Sequence, residues 1–146
     1  MVKITDDYKQ DEQAFAKAGI KVPTYSQAEV AKKTLAAPRW VHFGGGNLFR
    51  AFHAAIASHL IDAGKLDEGI IVVDTHDDSI IENVYKKFNN RMLRVITKAD
   101  GSQDRELFAP VADAIYAGPV TDDTSSLEKL KDIFNQASLQ LATFSI

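Results

Sequence analysis

Residues 40–53 read Trp40-Val41-His42-Phe43-Gly44-Gly45-Gly46-Asn47-Leu48-Phe49-Arg50-Ala51-Phe52-His53. The apolar run at the start predicts a short strand, and the three glycines permit a turn that residues with a Cβ resist. From Asn47 the pattern becomes helical, because apolar residues recur at spacings of three and four on one predicted face: Leu48, Phe52, Ala55, Ile56 and Leu60. A strand, a glycine turn and a helix in immediate succession predict the phosphate-binding corner of a dinucleotide-binding fold.

The glycine turn supplies the predicted cofactor contacts. Gly44 permits the tight turn out of the strand, and Gly46 lets the backbone approach a phosphate. The unpaired amides and the positive dipole end of the helix would face a pyrophosphate. The third glycine of the usual G-x-G-x-x-G is Phe49 here, so a glycine turn without a ligand role is the structural alternative. The candidate residues are Gly44, Gly45, Gly46, Asn47, Leu48, Phe49 and Arg50.

Asp74 is the second predicted cofactor contact. It ends a β-branched run that starts at Ile70 and lies 28 residues beyond Gly46, against ~20 in the usual fingerprint. An acid at this place would accept both hydroxyls of an adenosine ribose and repel a 2′-phosphate, which favours NAD over NADP. The alternative is a helix-capping or surface aspartate, and Asp77 and Asp78 compete for the same roles.

Two other residues near the turn have open interpretations. Arg50 lies in the first turn of the predicted helix, where a cation is unfavourable to the dipole, so it has either an anionic partner or full solvation. His42 lies in the predicted strand and is expected to be a hydrogen-bonded core or edge residue. Since His53 and His59 are six residues apart, they do not share the i, i+4 face of two helical zinc ligands, and we predict no metal site.

The remaining patterns predict an α/β fold with a Rossmann-like parallel sheet flanked by helices. Residues 1–37 form a predicted helical lead-in, with helices at 11–18 and from Ser26 to Ala36, and residues 38–146 form the NAD-binding domain. The first helix of that domain runs to Ala63, and a second starts at a Ser79 capping box and continues to Phe88. An Asp-Gly turn at 100–101 predicts a hairpin inserted into, or edging, the parallel sheet. A strand at 114–117, ended by Gly118-Pro119, a helix at 125–137 and a buried strand at 139–146 complete the pattern.

Composition excludes several classes of function. The net charge of −3 and the scattered basic residues argue against a nucleic-acid partner. The absence of cysteine excludes thiolate metal sites and cysteine nucleophiles, and Ser58, Ser79 and Ser125 lack a nucleophile-elbow context. No apolar run reaches the ~18 residues of a membrane span, so a cytoplasmic protein is expected. Because the last predicted strand runs to the final residue, we expect this chain to be the first piece of a longer protein.

With these residues identified, the sequence resembles the polyol-specific long-chain dehydrogenase family, which contains the mannitol dehydrogenases and fructuronate reductases. The family signature is Gly-x-Gly, two residues, an aromatic residue or histidine, then Arg, Ala and often His. Gly44, Gly46, Arg50 and Ala51 match it, whereas Phe52 stands where many members have histidine, with His53 one place along. The likeness covers roughly residues 38–146 and is nearest to the D-mannonate oxidoreductase branch.

The resemblance implies an N-terminal Rossmann-type domain followed by a larger helical domain that binds the sugar. Hydride would pass between NAD(H) and C2 or C5 of a sugar acid or polyol, without a metal. The family's catalytic lysine belongs to a Lys-x4-Asn-x2-His pattern that no lysine of this sequence begins, so we predict no catalytic residue in this chain. A methyltransferase domain, despite His42 in place of its usual acid, and a non-catalytic nucleotide-sensing module remain the alternatives.

Overall fold

The computed structural model describes residues 1–118 and 124–145. The strands of the described chain are β1 (Ile20–Lys21), β2 (Trp40–Phe43), β3 (Ile70–Asp74), β4 (Met92–Thr97), β5 (Gln103–Phe108), β6 (Val111–Tyr116) and β7 (Leu141–Phe144). The α-helices are α1 (Glu12–Lys17), α2 (Gln27–Ala36), α3 (Ala54–Asp62), α4 (Asp78–Ile80) and α5 (Ser125–Phe134). Wider π-helical turns at Phe49–His53 and Ile81–Tyr85 and a 3-10 turn at Lys86–Phe88 adjoin these helices.

A four-stranded parallel sheet forms the centre of the molecule, in the order β6-β3-β2-β7. β3 is buried along its whole length, because helices cover both faces of the sheet. On one face the 47–62 helix and the 78–88 segment pack on Ile70 and Val72, and on the other Ile133 of α5 packs on Ile71 and Val73. The predicted α/β parallel sheet is confirmed, with β2 and β3 at the predicted residues.

The hairpin has a different partner from the one predicted. β4 and β5 pair antiparallel around the predicted turn, but with β1 they form a separate three-stranded sheet, in which β5 pairs parallel with β1. Strand β1 escaped prediction because two residues carry no periodic signal. Its sheet adjoins a core cluster in which Tyr8 and Phe15 pack against Leu107 and Ala109. Residues 1–37 thus contact the hairpin, and the division at residue 38 stays a prediction.

The helix after the glycine turn buries only part of its predicted apolar face, since Ala55 is buried as predicted but three larger residues are not. Its predicted apolar residues Leu48, Phe52 and Ile56 are 58%, 55% and 38% exposed, while Phe49 and Ala57 are fully buried. The cause is the π-helical segment, whose wider turns alter the 3.6-residue phase on which the prediction rested. The prediction of a helix from 47 to about 63 is confirmed, with Gly64 at its end in the left-handed conformation (φ +65°).

Three further predictions need correction. Asp77, not Ser79, caps the 78–88 segment, because its carboxylate accepts the Ser79 N–H at 2.9 Å. Strand β7 lies at the sheet edge, so Leu141 and Phe144 are exposed rather than buried. On α5, Ile133 is buried, but the predicted core residues Leu127 and Phe134 are 41% and 47% exposed. Pro119 and Ile146, at which two strands were predicted to end, lie outside the described residues.

No helix in the described part of the chain combines the length and the apolar character that crossing a bilayer requires.

Candidate functional site

The glycine turn lies at the carboxyl end of β2, against the neighbouring ends of β3 and β7. Gly44 has φ +104°, and its N–H donates to the Val73 carbonyl at 2.8 Å. A Cβ at this position would lie 2.7 Å from Ser145 Oγ and closer still to the Ser145 carbonyl oxygen. Both the backbone conformation and the contact with Ser145 therefore require glycine, as the predicted tight turn implies.

The peptide between Gly44 and Gly45 is held by side chains at both of its ends. The Ser145 hydroxyl donates to the Gly44 carbonyl at 3.2 Å, and the Gly45 N–H donates to Asp74 Oδ2 at 3.0 Å. Ser145 follows β7 and Asp74 ends β3. The two strands that flank β2 therefore fix this one peptide plane. The sequence prediction of Gly44–Gly46 and Asp74 as neighbours across 29 residues agrees with this contact.

The next peptide is held through the Gly45 carbonyl. It accepts hydrogen bonds from Tyr85 OH at 2.8 Å and from Arg50 Nη1 at 2.7 Å. Burial raises the pKa of Tyr85 far above its ordinary value, so the hydroxyl stays protonated and donates. Arg50 also donates to Asn47 Oδ1 at 2.5 Å, which ties the helix start to the turn. Arg50 thus contacts two oxygens of the turn and the Tyr85 hydroxyl, and none of these partners is a carboxylate.

These contacts leave the amides of the helix start unpaired. Within residues 1–118 and 124–145, the backbone N–H groups of Gly46, Asn47, Leu48 and Phe49 make no hydrogen bond. The first intrahelical bond runs from the Arg50 N–H to the Gly46 carbonyl at 3.2 Å. A Cβ on Gly46 would meet no atom within 4 Å, so the space beside these amides is open. Unpaired N–H groups at the positive end of a helix dipole form an anion-binding cup.

An open cleft of about 520 Å³ lies over this cup, within the ~300–1,000 Å³ range of small-molecule sites. Gly44, Gly46, Asn47, Leu48 and Asp74 line it among the predicted site residues, together with Phe43, Thr75, His76, Asp77, Ile80, Phe144 and Ser145. The Phe49 side chain is fully buried in the core, so only its backbone can reach the cleft. The Arg50 side chain lines a neighbouring cavity of about 360 Å³ instead.

Three backbone N–H groups donate hydrogen bonds to the Asp74 carboxylate. Its second oxygen, Oδ1, accepts the N–H groups of His76 at 2.9 Å and Asp77 at 3.0 Å, and the residue is 7% exposed. Burial alone would raise the pKa of this carboxyl, but the amides of Asp77, His76 and Gly45 outweigh it and hold the pKa below its ordinary value. The carboxylate therefore stays ionised at the floor of the cleft, with one lone pair of Oδ2 free.

The two residues most easily missed from sequence are Tyr85 and Ser145. Tyr85 lies 40 residues beyond the glycine it contacts and Ser145 lies 101 residues beyond. The available signals were weak: a buried-type aromatic in a helical pattern, and a serine after a strand parallel to β2. His42 matches its predicted role, since it is fully buried with hydrogen bonds at both ring nitrogens. Within the described residues, no three or more His, Cys, Asp or Glu side chains come together in a way that could hold a metal ion.

The sequence of this chain is similar to that of a known oxidoreductase. Over 137 residues the chain is 40% identical to the D-mannonate oxidoreductase of Thermotoga maritima, covering 94% of this chain and 25% of that protein. The predicted family resemblance is confirmed. The chain resembles the N-terminal part of the polyol-specific long-chain dehydrogenases and spans a quarter of the length of this relative. No family model matches the chain.

Two solved structures share the fold. A substrate-free D-sorbitol dehydrogenase superposes with a TM-score of 0.70 at 20% identity, over 88% of this chain and 25% of that one. The mannitol 2-dehydrogenase of Pseudomonas fluorescens, in a ternary complex with NAD and D-mannitol, superposes with a TM-score of 0.71 at 16% identity, over 92% of this chain and 26% of that one. The Rossmann-like fold predicted from the sequence is thereby confirmed.

Proposed function

We propose that this chain is the NAD-binding N-terminal domain of a dehydrogenase that oxidises or reduces a sugar acid or polyol, as D-mannonate oxidoreductase does. The observation that carries the proposal is the cup of unpaired amides at Gly46–Phe49 beneath an open cleft. The 40% identity to a D-mannonate oxidoreductase supports the substrate class. The small-molecule sugar substrate and a cytoplasmic location are parts of the same proposal.

The residues present fit a dinucleotide. The unpaired amides of residues 46–49 and the helix dipole would hold the pyrophosphate, while Asp74, at the neighbouring strand end, would accept a ribose hydroxyl on its free Oδ2 lone pair. Arg50 adds positive potential close behind the cup. When bound, the cofactor supplies hydride transfer. Because the family's lysine pattern does not occur in this chain, the chain's own role is to bind and orient the cofactor.

We further propose a preference for NAD over NADP. Asp74 and Asp77 both line the cleft, and Asp74 stays ionised. A 2′-phosphate on the ribose would approach these carboxylates and be repelled, whereas a 2′-hydroxyl can donate to them.

Equilibrium titration by NADH fluorescence tests the proposal. We expect saturable NADH binding, at least tenfold weaker NADPH binding, and no binding of S-adenosylmethionine by calorimetry. Equal affinity for NADH and NADPH would overturn the cofactor preference, and binding of S-adenosylmethionine alone would favour the methyltransferase alternative.

Gly46→Ala supplies a matched variant. Because a Cβ there meets no protein atom within 4 Å and φ is not positive, we expect the free energy of unfolding to change by less than ~1 kcal/mol. The added methyl group would occupy the space in which a phosphate approaches the backbone, so NADH binding should weaken at least tenfold. Unchanged affinity in this variant would show that NADH binds elsewhere.

A further inference from the structure

A relay of hydrogen-bonding side chains runs beneath the glycine turn, between β2 and β7. Its members are Trp40, Thr143, His42 and Ser145. Trp40 Nε1 lies 2.7 Å from Thr143 Oγ1, which in turn lies 2.7 Å from His42 Nδ1. His42 Nε2 lies 3.0 Å from Ser145 Oγ, and Ser145 Oγ lies 3.2 Å from the Gly44 carbonyl oxygen. The chain of contacts thus starts at the beginning of β2 and ends on the first peptide of the glycine turn.

The Gly44 carbonyl, which can only accept, and the single ring proton of a neutral His42 together assign the direction of these hydrogen bonds. The Trp40 indole can only donate, so Thr143 Oγ1 accepts from it, and Thr143 gives its own hydrogen to His42 Nδ1 when the neutral ring carries its proton on Nε2. At the other end the Gly44 carbonyl can only accept, so the Ser145 hydroxyl donates to it. Ser145 Oγ must then accept from His42, which therefore carries its proton on Nε2.

The surroundings of His42 favour this neutral form. Its ring contacts the rings of Phe49 and His53, with centroids 4.5 Å from each, and the residue is fully buried. Burial, together with His53, lowers the pKa of His42 to about 4. Among the side chains that these ring and hydrogen-bond contacts bring to His42, His53 is the only titratable group.

We propose that His42 is a positioning residue for cofactor binding, acting as the Nε2–H tautomer through Ser145 to orient the Gly44 carbonyl. This inference rests on the proposed function. The Gly44–Gly45 peptide is fixed at its carbonyl by Ser145 and at its N–H by Asp74, so the plane from which the cup starts depends on both contacts. His42 does not line the cleft; it acts through Ser145, and its ring also interacts with the Gly44 backbone directly.

Thr143 controls which tautomer His42 adopts. Thr143→Val removes the donor to Nδ1, so the proton can move to Nδ1 and the Ser145 hydroxyl can turn from Gly44 to the free Nε2. We therefore expect Thr143→Val and Ser145→Ala each to weaken NADH binding about fivefold, the size of one lost neutral hydrogen bond. Thr143→Ser, which restores a hydroxyl, should return the affinity to the wild-type value.

Thr34→Val is the control for loss of a hydrogen-bonded threonine hydroxyl outside the cleft. Thr34 is fully buried, donates to the Val30 carbonyl at 2.6 Å and accepts the Gly69 N–H at 2.7 Å, and does not line the cleft. This variant should lower the free energy of unfolding and leave the NADH dissociation constant unchanged. If Thr143→Val and Ser145→Ala behave in the same way as Thr34→Val, the relay is purely structural and the proposal fails.

Nitrogen-15 NMR of the histidine rings decides the tautomer independently of any ligand. We expect Nε2–H in the wild type and a shift toward Nδ1–H in Thr143→Val. An Nδ1–H tautomer in the wild type would overturn the relay even if NADH binds as proposed. If the wild type shows Nε2–H but binds no NADH, the proposed function and the positioning role fail together, while the assigned hydrogen-bond direction stands.

Discussion

Gly44 and Gly101 both have positive φ, and the turns that contain them are stabilised in different ways. Gly101 (φ +82°) lies in the β4–β5 hairpin, where Asp100 accepts bonds from the backbone N–H and hydroxyl of Ser102 and a Cβ on Gly101 would meet no atom within 4 Å. Gly44 (φ +104°) lies in the glycine turn, which is held by the nearby Arg50 and by four residues that are 29 to 101 positions away: Val73, Asp74, Tyr85 and Ser145. The hairpin turn is encoded locally, whereas the shape of the glycine turn depends on the assembled sheet.

The largest expected difference comes from adding a methyl group to each turn. Gly44→Ala combines backbone strain with a clash against the Ser145 carbonyl, which cannot move without disturbing β7, so we expect a loss of about 4 kcal/mol in the free energy of unfolding. Gly101→Ala suffers the strain alone and should lose about 1 kcal/mol. Urea denaturation of both variants measures the difference. Equal losses would mean that β7 shifts to accommodate the added methyl group. The glycine turn would then not depend on the assembled sheet more than the hairpin turn does.

The same contrast explains what the sequence could predict about the fold. The strand Ile70–Asp74 and the hairpin turn are visible in sequence because β-branched residues and an Asp-Gly pair act on their own neighbours. The buried face of the 47–62 helix is not visible in the sequence, because the five-residue π-helical segment has no local sequence marker. Leu48 and Phe52 therefore have the spacing of a core face and are nevertheless exposed.

The features of the site also separate into those that follow from local sequence and those that depend on long-range packing. Its unpaired amides follow from a glycine turn that opens a helix, which is a local pattern, and the place of Asp74 follows from the end of a predicted parallel strand. The contacts of Tyr85 and Ser145 depend on how the chain packs over 40 and 101 residues, so no spacing rule identifies them. Sequence thus located the cup, and the side chains that hold its peptides in place required the structure.

Acid titrates the relay beneath the glycine turn at His42, its fully buried member. His42 has a folded-state pKa of about 4 against 6.5 when unfolded, so the unfolded chain binds a proton first as the pH falls. The stability contribution of neutral His42 is complete above pH 6.5 and is lost progressively down to pH 4, by about 3 kcal/mol. Urea denaturation of the wild type and of His42→Gln across this range isolates the effect as their difference.

In His42→Gln the stability should fall less steeply between pH 6.5 and 4, whatever its value at pH 7, because glutamine does not titrate. Parallel curves for the two proteins would show that His42 takes up its proton equally in both states. That result would remove the reason for treating the relay as a neutral network, although the hydrogen-bond distances would be unchanged.

The smallest expected effect compares the two aspartates that serve these turns. Asp74→Asn keeps one oxygen for the His76 and Asp77 amides but presents an NH₂ group to the Gly45 N–H, so a charge-assisted bond is replaced by two facing donors. We expect a loss of about 2 kcal/mol in the free energy of unfolding. Asp100→Asn, at an exposed site whose partners are two residues away, should leave that quantity within the error of urea denaturation. If the Asp100 variant loses as much as the Asp74 variant, the hairpin turn also depends on its carboxylate charge, and the distinction between a locally encoded turn and one shaped by the sheet no longer holds.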